Sequence, residues 1–151
     1  MGRKSKSIAT RLVALILRTL PLPERVLLVI DGGYAKRPFL RRALKQGVTL
    51  VGRLRKDAAL RDLPPKLKKG QRRRRGRPRK YGKNKISLAK RAGQRRGWKS
   101  IACVIYGRAT SKTYKTFLAT YAPVGGVIRV VLVKEDHGWY AFFCTDPNAS
   151  A

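Results

Sequence analysis

Asp31 is the residue whose type and position first point to chemistry. It follows the five-residue apolar run Val26-Leu-Leu-Val-Ile30 directly, and Gly32-Gly33 come next. The run is too short for a helix and too apolar for a half-exposed strand, so a strand buried on both faces is expected. Open α/β sheets present their functional groups at the carboxyl ends of such strands, where this carboxylate sits. An Asp-Gly turn that merely ends the strand accounts for the same residues, and for an isolated pattern it is the commoner outcome.

The second group of candidate residues is cationic. Arg53, Arg55 and Lys56 follow the apolar segment Val48–Val51, while Arg72, Arg73, Arg74, Arg75, Arg77, Arg79 and Lys80 crowd the stretch from Lys66 to Lys85. Guanidinium and ammonium groups at this density recognise phosphate. Within that stretch Arg75-Gly-Arg-Pro-Arg-Lys80 has the Gly-Arg-Pro core of an AT-hook, whose arginines enter the narrow minor groove of A·T-rich DNA. A basic loop that touches phosphates without reading sequence is the simpler account of it. The only histidine is His137 and there is no Cys-x-x-Cys, which argues against a zinc site. Cys103 and Cys144 lie in apolar, strand-like surroundings and read as reduced core thiols.

The composition sets the frame for both groups. The chain has 151 residues, about one domain, and 43% of them are hydrophobic, enough for a core. There are 37 Lys and Arg against 7 Asp and Glu, a net charge of +30. A polyanion is the natural partner, and nucleic acid fits best. No apolar run approaches the length needed to span a bilayer. The basic start followed by an apolar segment is not a signal peptide, because Arg18 interrupts the segment and no small-residue cleavage site follows. A cytoplasmic, nucleoid-associated protein is expected, with no membrane partner and no small-molecule substrate.

The elements that position these residues can be outlined. Ser7 caps a helix from Ile8 to Leu20, ended by Pro21 and Pro23. After the Val26–Ile30 strand, a helix runs from Pro38 to about Gln46, with Gly47 in the C′ position. Val48–Val51 is then a second buried strand, so the unit is βαβ and its strands are parallel. Two parallel strands make no stable sheet alone, and the first helix looks like the end of a crossover. The chain therefore reads as starting mid-domain, with partly exposed strands through which chains would self-associate. Ser87 to about Arg96 forms a short basic helix. Ile101–Tyr106, Tyr114–Tyr121, Val127–Val133 and Trp139–Thr145 follow as strands of an antiparallel meander with Gly-containing connections. Their aromatic residues are assigned to sheet packing rather than to base stacking. The expected organisation is residues 1–56 as core, 57–97 as basic loop and short helix, and 98–151 as a β-rich insertion with a strand returning to the core.

As a set, several segments resemble DDE-type transposases of bacterial insertion sequences. They are Asp31-Gly-Gly-Tyr-Ala-Lys-Arg-Pro-Phe-Leu40, Val51-Gly-Arg-Leu-Arg-Lys-Asp-Ala-Ala-Leu60, Gly76-Arg-Pro-Arg-Lys-Tyr-Gly82, Leu88-Ala-Lys-Arg-Ala92, Tyr114-Lys-Thr-Phe-Leu-Ala-Thr120, Ile128-Arg-Val-Val-Leu-Val133 and Trp139-Tyr-Ala-Phe-Phe-Cys-Thr-Asp-Pro147. The resemblance implies an α/β fold: a partial ribonuclease-H-like core, here the parallel βαβ unit, with an inserted antiparallel β-rich region. It implies that Asp31 is the second of three catalytic acids that together hold two Mg²⁺ ions for DNA cleavage and strand transfer. DNA, as transposon ends and target, is the implied partner. The family's first acid has no counterpart strand here, and its final Glu, in a Tyr…Arg…Glu pattern, has no counterpart after Pro147. Glu135 and Asp136 fall in a hairpin turn, and Asp57 and Asp62 at the entrance of the basic loop suit salt bridges or phosphate neighbours. The expectation is an internal fragment, inactive alone. The competing expectation is a small non-catalytic nucleic-acid-binding protein of ribosomal or nucleoid type.

Overall fold

The computed structural model describes residues 8–19, 26–65, 70, 72 and 76–150. Ser7, Arg73, Arg74 and Arg75 lie outside the described residues, so the expected helix cap and three of the loop arginines are not placed.

The βαβ unit forms as its periodicity dictates. Helix α1 (Ile8–Thr19) precedes strand β1 (Leu27–Ile30), a 3₁₀ turn (Gly32–Tyr34), helix α2 (Arg37–Lys45) and strand β2 (Thr49–Leu54). Pro38 fits the first turn of α2, where its missing N–H costs nothing, and Gly47 follows the helix with φ +76°. Phe39, Leu40 and Ala43 form the buried stripe of α2. β1 and β2 run parallel, Leu27 opposite Thr49 through Ile30 opposite Gly52.

The rest of the chain completes one sheet with this pair. β3 (Leu60–Arg61), β4 (Lys85–Ile86), helix α3 (Leu88–Gly93), β5 (Lys99–Ile105), β6 (Arg108–Tyr121), β7 (Gly126–Glu135) and β8 (Gly138–Cys144) follow. The order across the eight-stranded sheet is β1-β2-β8-β7-β6-β3-β4, with β5 paired to β6. β6, β7 and β8 are the expected antiparallel meander. β8 then returns to lie antiparallel to β2, Val51 opposite Cys144 and Leu54 opposite Ala141. Thr145 extends that ladder, its N–H donating to the Leu50 carbonyl and its hydroxyl accepting from the Leu50 N–H, both at 2.9 Å. One sheet face is the core, where Leu40 of α2 and Leu88 of α3 share one buried cluster with Leu50, Val130, Leu132 and Phe143.

Two sequence expectations need correction. Val26–Ile30 is not buried on both faces: β1 is an edge strand, with Leu27 61% and Val29 72% exposed. Only the side facing α2 and the core is covered, and Ile30 is its buried residue. β2 also continues three residues beyond Val51. In Gly52-Arg53-Leu54 the Arg53 side chain points out while Leu54 is buried, so the strand alternates past the Val51 end expected for it.

The helix after Ser87 is shorter than expected and well capped, the Ser87 hydroxyl accepting from the Lys90 N–H at 3.2 Å. Its carboxyl end is tied down from below. Lys115, a buried lysine of β6, donates to the carbonyls of Arg91 and Gln94 at 2.9 and 2.7 Å. Its ammonium stands 4.9 Å from the Trp98 ring centroid, which places that aromatic in packing.

Candidate functional site

Asp31 leaves β1 in an extended conformation and caps the 3₁₀ turn, its carboxylate accepting from the Gly33 N–H at 3.4 Å. The local geometry is thus that of the strand-ending turn. The side chain is nevertheless exposed and free to reach a ligand. Because Ile30 lies opposite Gly52, Asp31 is level with Arg53 on the parallel neighbour. The backbones stay close past the strand ends: a Cβ on Gly32 would stand 3.4 Å from the Arg53 carbonyl oxygen.

β2 delivers the cations to this place. Arg53, Leu54, Arg55, Lys56 and Asp57 surround, with Gly32, a cavity of about 400 Å³. Arg55 grips Asp57 with two hydrogen bonds, Nε to Oδ1 at 3.0 Å and Nη2 to Oδ2 at 3.1 Å. Both side chains are largely exposed, so solvent screens the pair and it orients Arg55 more than it stabilises the fold. The expected salt-bridge role of Asp57 is what the geometry contains.

Two aromatic residues of β8 hold the other cations. The Arg53 guanidinium carbon lies 4.5 Å from the Tyr140 ring centroid, and the Lys56 ammonium lies 5.2 Å from that of Trp139. These rings lie on the strand that returns beside β2. Sequence reading assigned them to packing alone and missed this second role. The nearest signal for it was the Trp-Tyr pair directly after Gly138, at the start of a strand.

The loop cations sit elsewhere. Arg72, Arg77, Arg79 and Lys80 are exposed on the segment between β3 and β4. The two ends of that segment are pinned together. Asp62 accepts from the Asn84 N–H at 3.1 Å and from its side-chain amide at 2.8 Å, while the Asp62 N–H donates to the Asn84 carbonyl at 3.0 Å. Asp62 therefore fastens the neck of the loop through Asn84 rather than through a salt bridge. Thr120 of β6 anchors the same neck from inside, its buried hydroxyl donating to the Asp62 carbonyl at 3.0 Å. Asp57 also acts at a distance: Tyr121 is pushed above the usual phenol range, chiefly by burial and then by the Asp57 charge.

The carboxylates do not assemble. Glu135, at the end of β7, is held by Lys112 at 2.7 Å. The hydrogen bond that the Lys112 ammonium donates to the Glu135 carboxylate raises it above its usual value, outweighing the opposing effect of burial. Among the described residues no group of three or more His, Cys, Asp or Glu side chains could hold a metal ion. Asp31 can offer carboxylate oxygens suited to a hard divalent cation, but the described residues do not complete a site around it. Also among the described residues, no helix is long and apolar enough to cross a membrane.

Comparison with known proteins agrees with the geometry at the level of family. The family model described as DDE superfamily endonuclease matches residues 2–117, from before α1 into β6. No curated protein matches the chain.

Proposed function

This chain belongs to the DDE superfamily of endonucleases, and we propose that it is the DNA-engaging part of a DDE-type transposase, with Asp31 as its second catalytic acid. DNA is the substrate class of such an endonuclease, and divalent metals are the usual cofactors of the superfamily. The observation that carries the reading is the placement of Asp31 level with Arg53, beside a cavity rimmed by Arg53, Arg55 and Lys56. A carboxylate set among phosphate-binding cations is what cleavage of a phosphodiester needs. The cations neutralise and position the backbone, and the acid is left to bind a hard cation.

In this reading the DNA backbone lies along the end of β2. Arg53, Arg55 and Lys56 contact phosphates there, and the loop from Lys66 to Lys85 adds further contacts through Arg72, Arg73, Arg74, Arg75, Arg77, Arg79 and Lys80. Residues 1–56 serve as the core, 57–97 as the DNA-reaching arm, and 98–151 as the β-rich insertion and return strand. Mg²⁺ is the ion we assign to the intact family chemistry, and Asp31 would supply one carboxylate to it. Because the ligand set is incomplete among the described residues, cleavage by this chain alone is not expected. That incompleteness also favours the second reading, a non-catalytic DNA-binding protein in which Asp31 is only a turn residue.

Asp31→Asn separates the two. Without divalent cations, a carboxylate beside a phosphate is repulsive, so the substitution should tighten binding to duplex DNA about two- to five-fold at low salt. Unchanged affinity would place the DNA away from Asp31. Supercoiled plasmid incubated with the chain and Mg²⁺ should stay intact, and nicking that disappears in Asp31→Asn would show that the chain completes a site.

A further inference from the structure

The hairpin of β5 and β6 outgrows the sheet. β6 pairs with β7 only from Thr113 onward, the Thr113 partner being Lys134. Beyond that point β5 and β6 pair with each other alone, from Ala102 opposite Ser111 to Ile105 opposite Arg108. The result is a two-stranded ribbon that projects roughly 13 Å, at about 3.4 Å per residue. Such ribbons are marginal in water unless something covers them. This one carries Val104 71% exposed and Tyr106 99% exposed.

The tip is built against local preference. Tyr106 and Gly107 form the two-residue connection with φ +51° and +75°. Two successive positive φ values define a type I′ turn, for which Asn-Gly is the favoured pair. Tyr106 is the only described residue other than glycine with positive φ. A bulky aromatic there bears a steric cost and, being almost fully exposed, gains little packing from the rest of the chain in return. Packing does not account for it.

Resting on the DNA reading above, we infer that this ribbon is a DNA-binding finger whose tip enters a groove and whose Tyr106 ring packs on base or sugar surface. Charge selects the occupant: Arg108 flanks the tip, Lys99 stands at the base of β5, and the whole chain carries +30. A two-stranded ribbon fits the major groove of B-form DNA, and apolar tips are used as wedges against base steps. An apolar protein partner would not need these cations.

The test is binding of the full chain to a 20-base-pair mixed-sequence duplex, followed by fluorescence anisotropy over a salt series. Tyr106→Asn suits the turn better than tyrosine does, so it should melt at the same temperature or higher. It should bind about 5- to 100-fold more weakly, with an unchanged salt slope, because the ring no longer packs on DNA while every phosphate stays neutralised. Tyr106→Trp should retain affinity. Wild-type affinity in Tyr106→Asn overturns the finger, even if substitutions at Arg53 and Lys56 still weaken binding and so sustain the DNA reading. A dimer that dissociates in Tyr106→Asn, with DNA affinity unchanged, also overturns it, in favour of a contact between copies of this chain. No binding of wild type at moderate salt defeats the DNA reading itself, and the finger with it.

Discussion

The guanidinium carbon of Arg53 lies 4.5 Å from the centre of the Tyr140 ring. The two residues meet because β2 and β8 pair with Arg53 opposite Phe142 and Leu54 opposite Ala141, which makes Tyr140 a diagonal neighbour of Arg53 on one face. Tyr140 remains 38% exposed, so the contact is made at the surface and leaves the guanidinium edge open to a phosphate. A ring beneath the cation fixes its direction, and under the proposed DNA reading this would lower the ordering cost of binding.

A double-mutant cycle measures this contact. Arg53→Ala and Tyr140→Ala should each weaken binding to duplex DNA. The double variant should lose less than the sum of the two, with a coupling of about 0.5–1 kcal/mol, as for an exposed cation–ring pair. Strict additivity in the anisotropy titrations would show that Tyr140 does not prepare Arg53 for DNA.

The loop tests separately for sequence reading. Replacing Arg72, Arg73, Arg74 and Arg75 together by Gln should weaken binding and flatten its salt dependence by about 0.9 for each phosphate no longer neutralised. The melting temperature should hold. Replacing Arg77 and Arg79 should instead remove preference for A·T-rich over G·C-rich duplex while most of the affinity stays. Equal affinity of the wild-type chain for both duplexes would leave the Gly-Arg-Pro segment as a phosphate-binding arm only.

Much of this architecture was legible in the sequence, and the exceptions have physical causes. The helical stripe Phe39, Leu40 and Ala43 and the Gly47 stop are local, so α2 was read to within a residue. The β6–β8 meander was read from apolar runs divided by Gly-rich turns. Leu27 and Val29 misled, because an apolar run states how a strand tolerates burial and not whether neighbours cover it. β3 and β4 were invisible: two-residue strands have no periodicity, and their pairing rests on Asp62 and Asn84, which are far apart in the chain. Asp31 and the cations of the site were legible by type and position. That Gly32, next to Asp31, meets Arg53, Arg55 and Lys56 at one cavity depends on the parallel register of β1 and β2, and the rings beneath Arg53 and Lys56 come from β8.

The neck of the loop is open to a stability test. Gly82 donates its N–H to the Asp62 carbonyl at 3.0 Å and is buried. A Cβ there would overlap both the carboxylate and the backbone of Asp62. Gly82→Ala should therefore lower stability by about 1–3 kcal/mol, through forced displacement of a packed turn. Urea unfolding measures the change. Stability equal to wild type would mean that the pinned neck does not form.

The central claim is that the end of β2, beside Asp31, is where the DNA backbone lies. It is tested most directly by the salt dependence of duplex binding in the triple variant Arg53→Gln, Arg55→Gln, Lys56→Gln. The three side chains are exposed, so the variant should fold as wild type does and keep its unfolding midpoint. If each cation meets a phosphate, the slope of log affinity against log salt should become shallower by about 2.7, at about 0.9 per phosphate. A slope unchanged from wild type, in a folded variant, would contradict the account and move the DNA off this site.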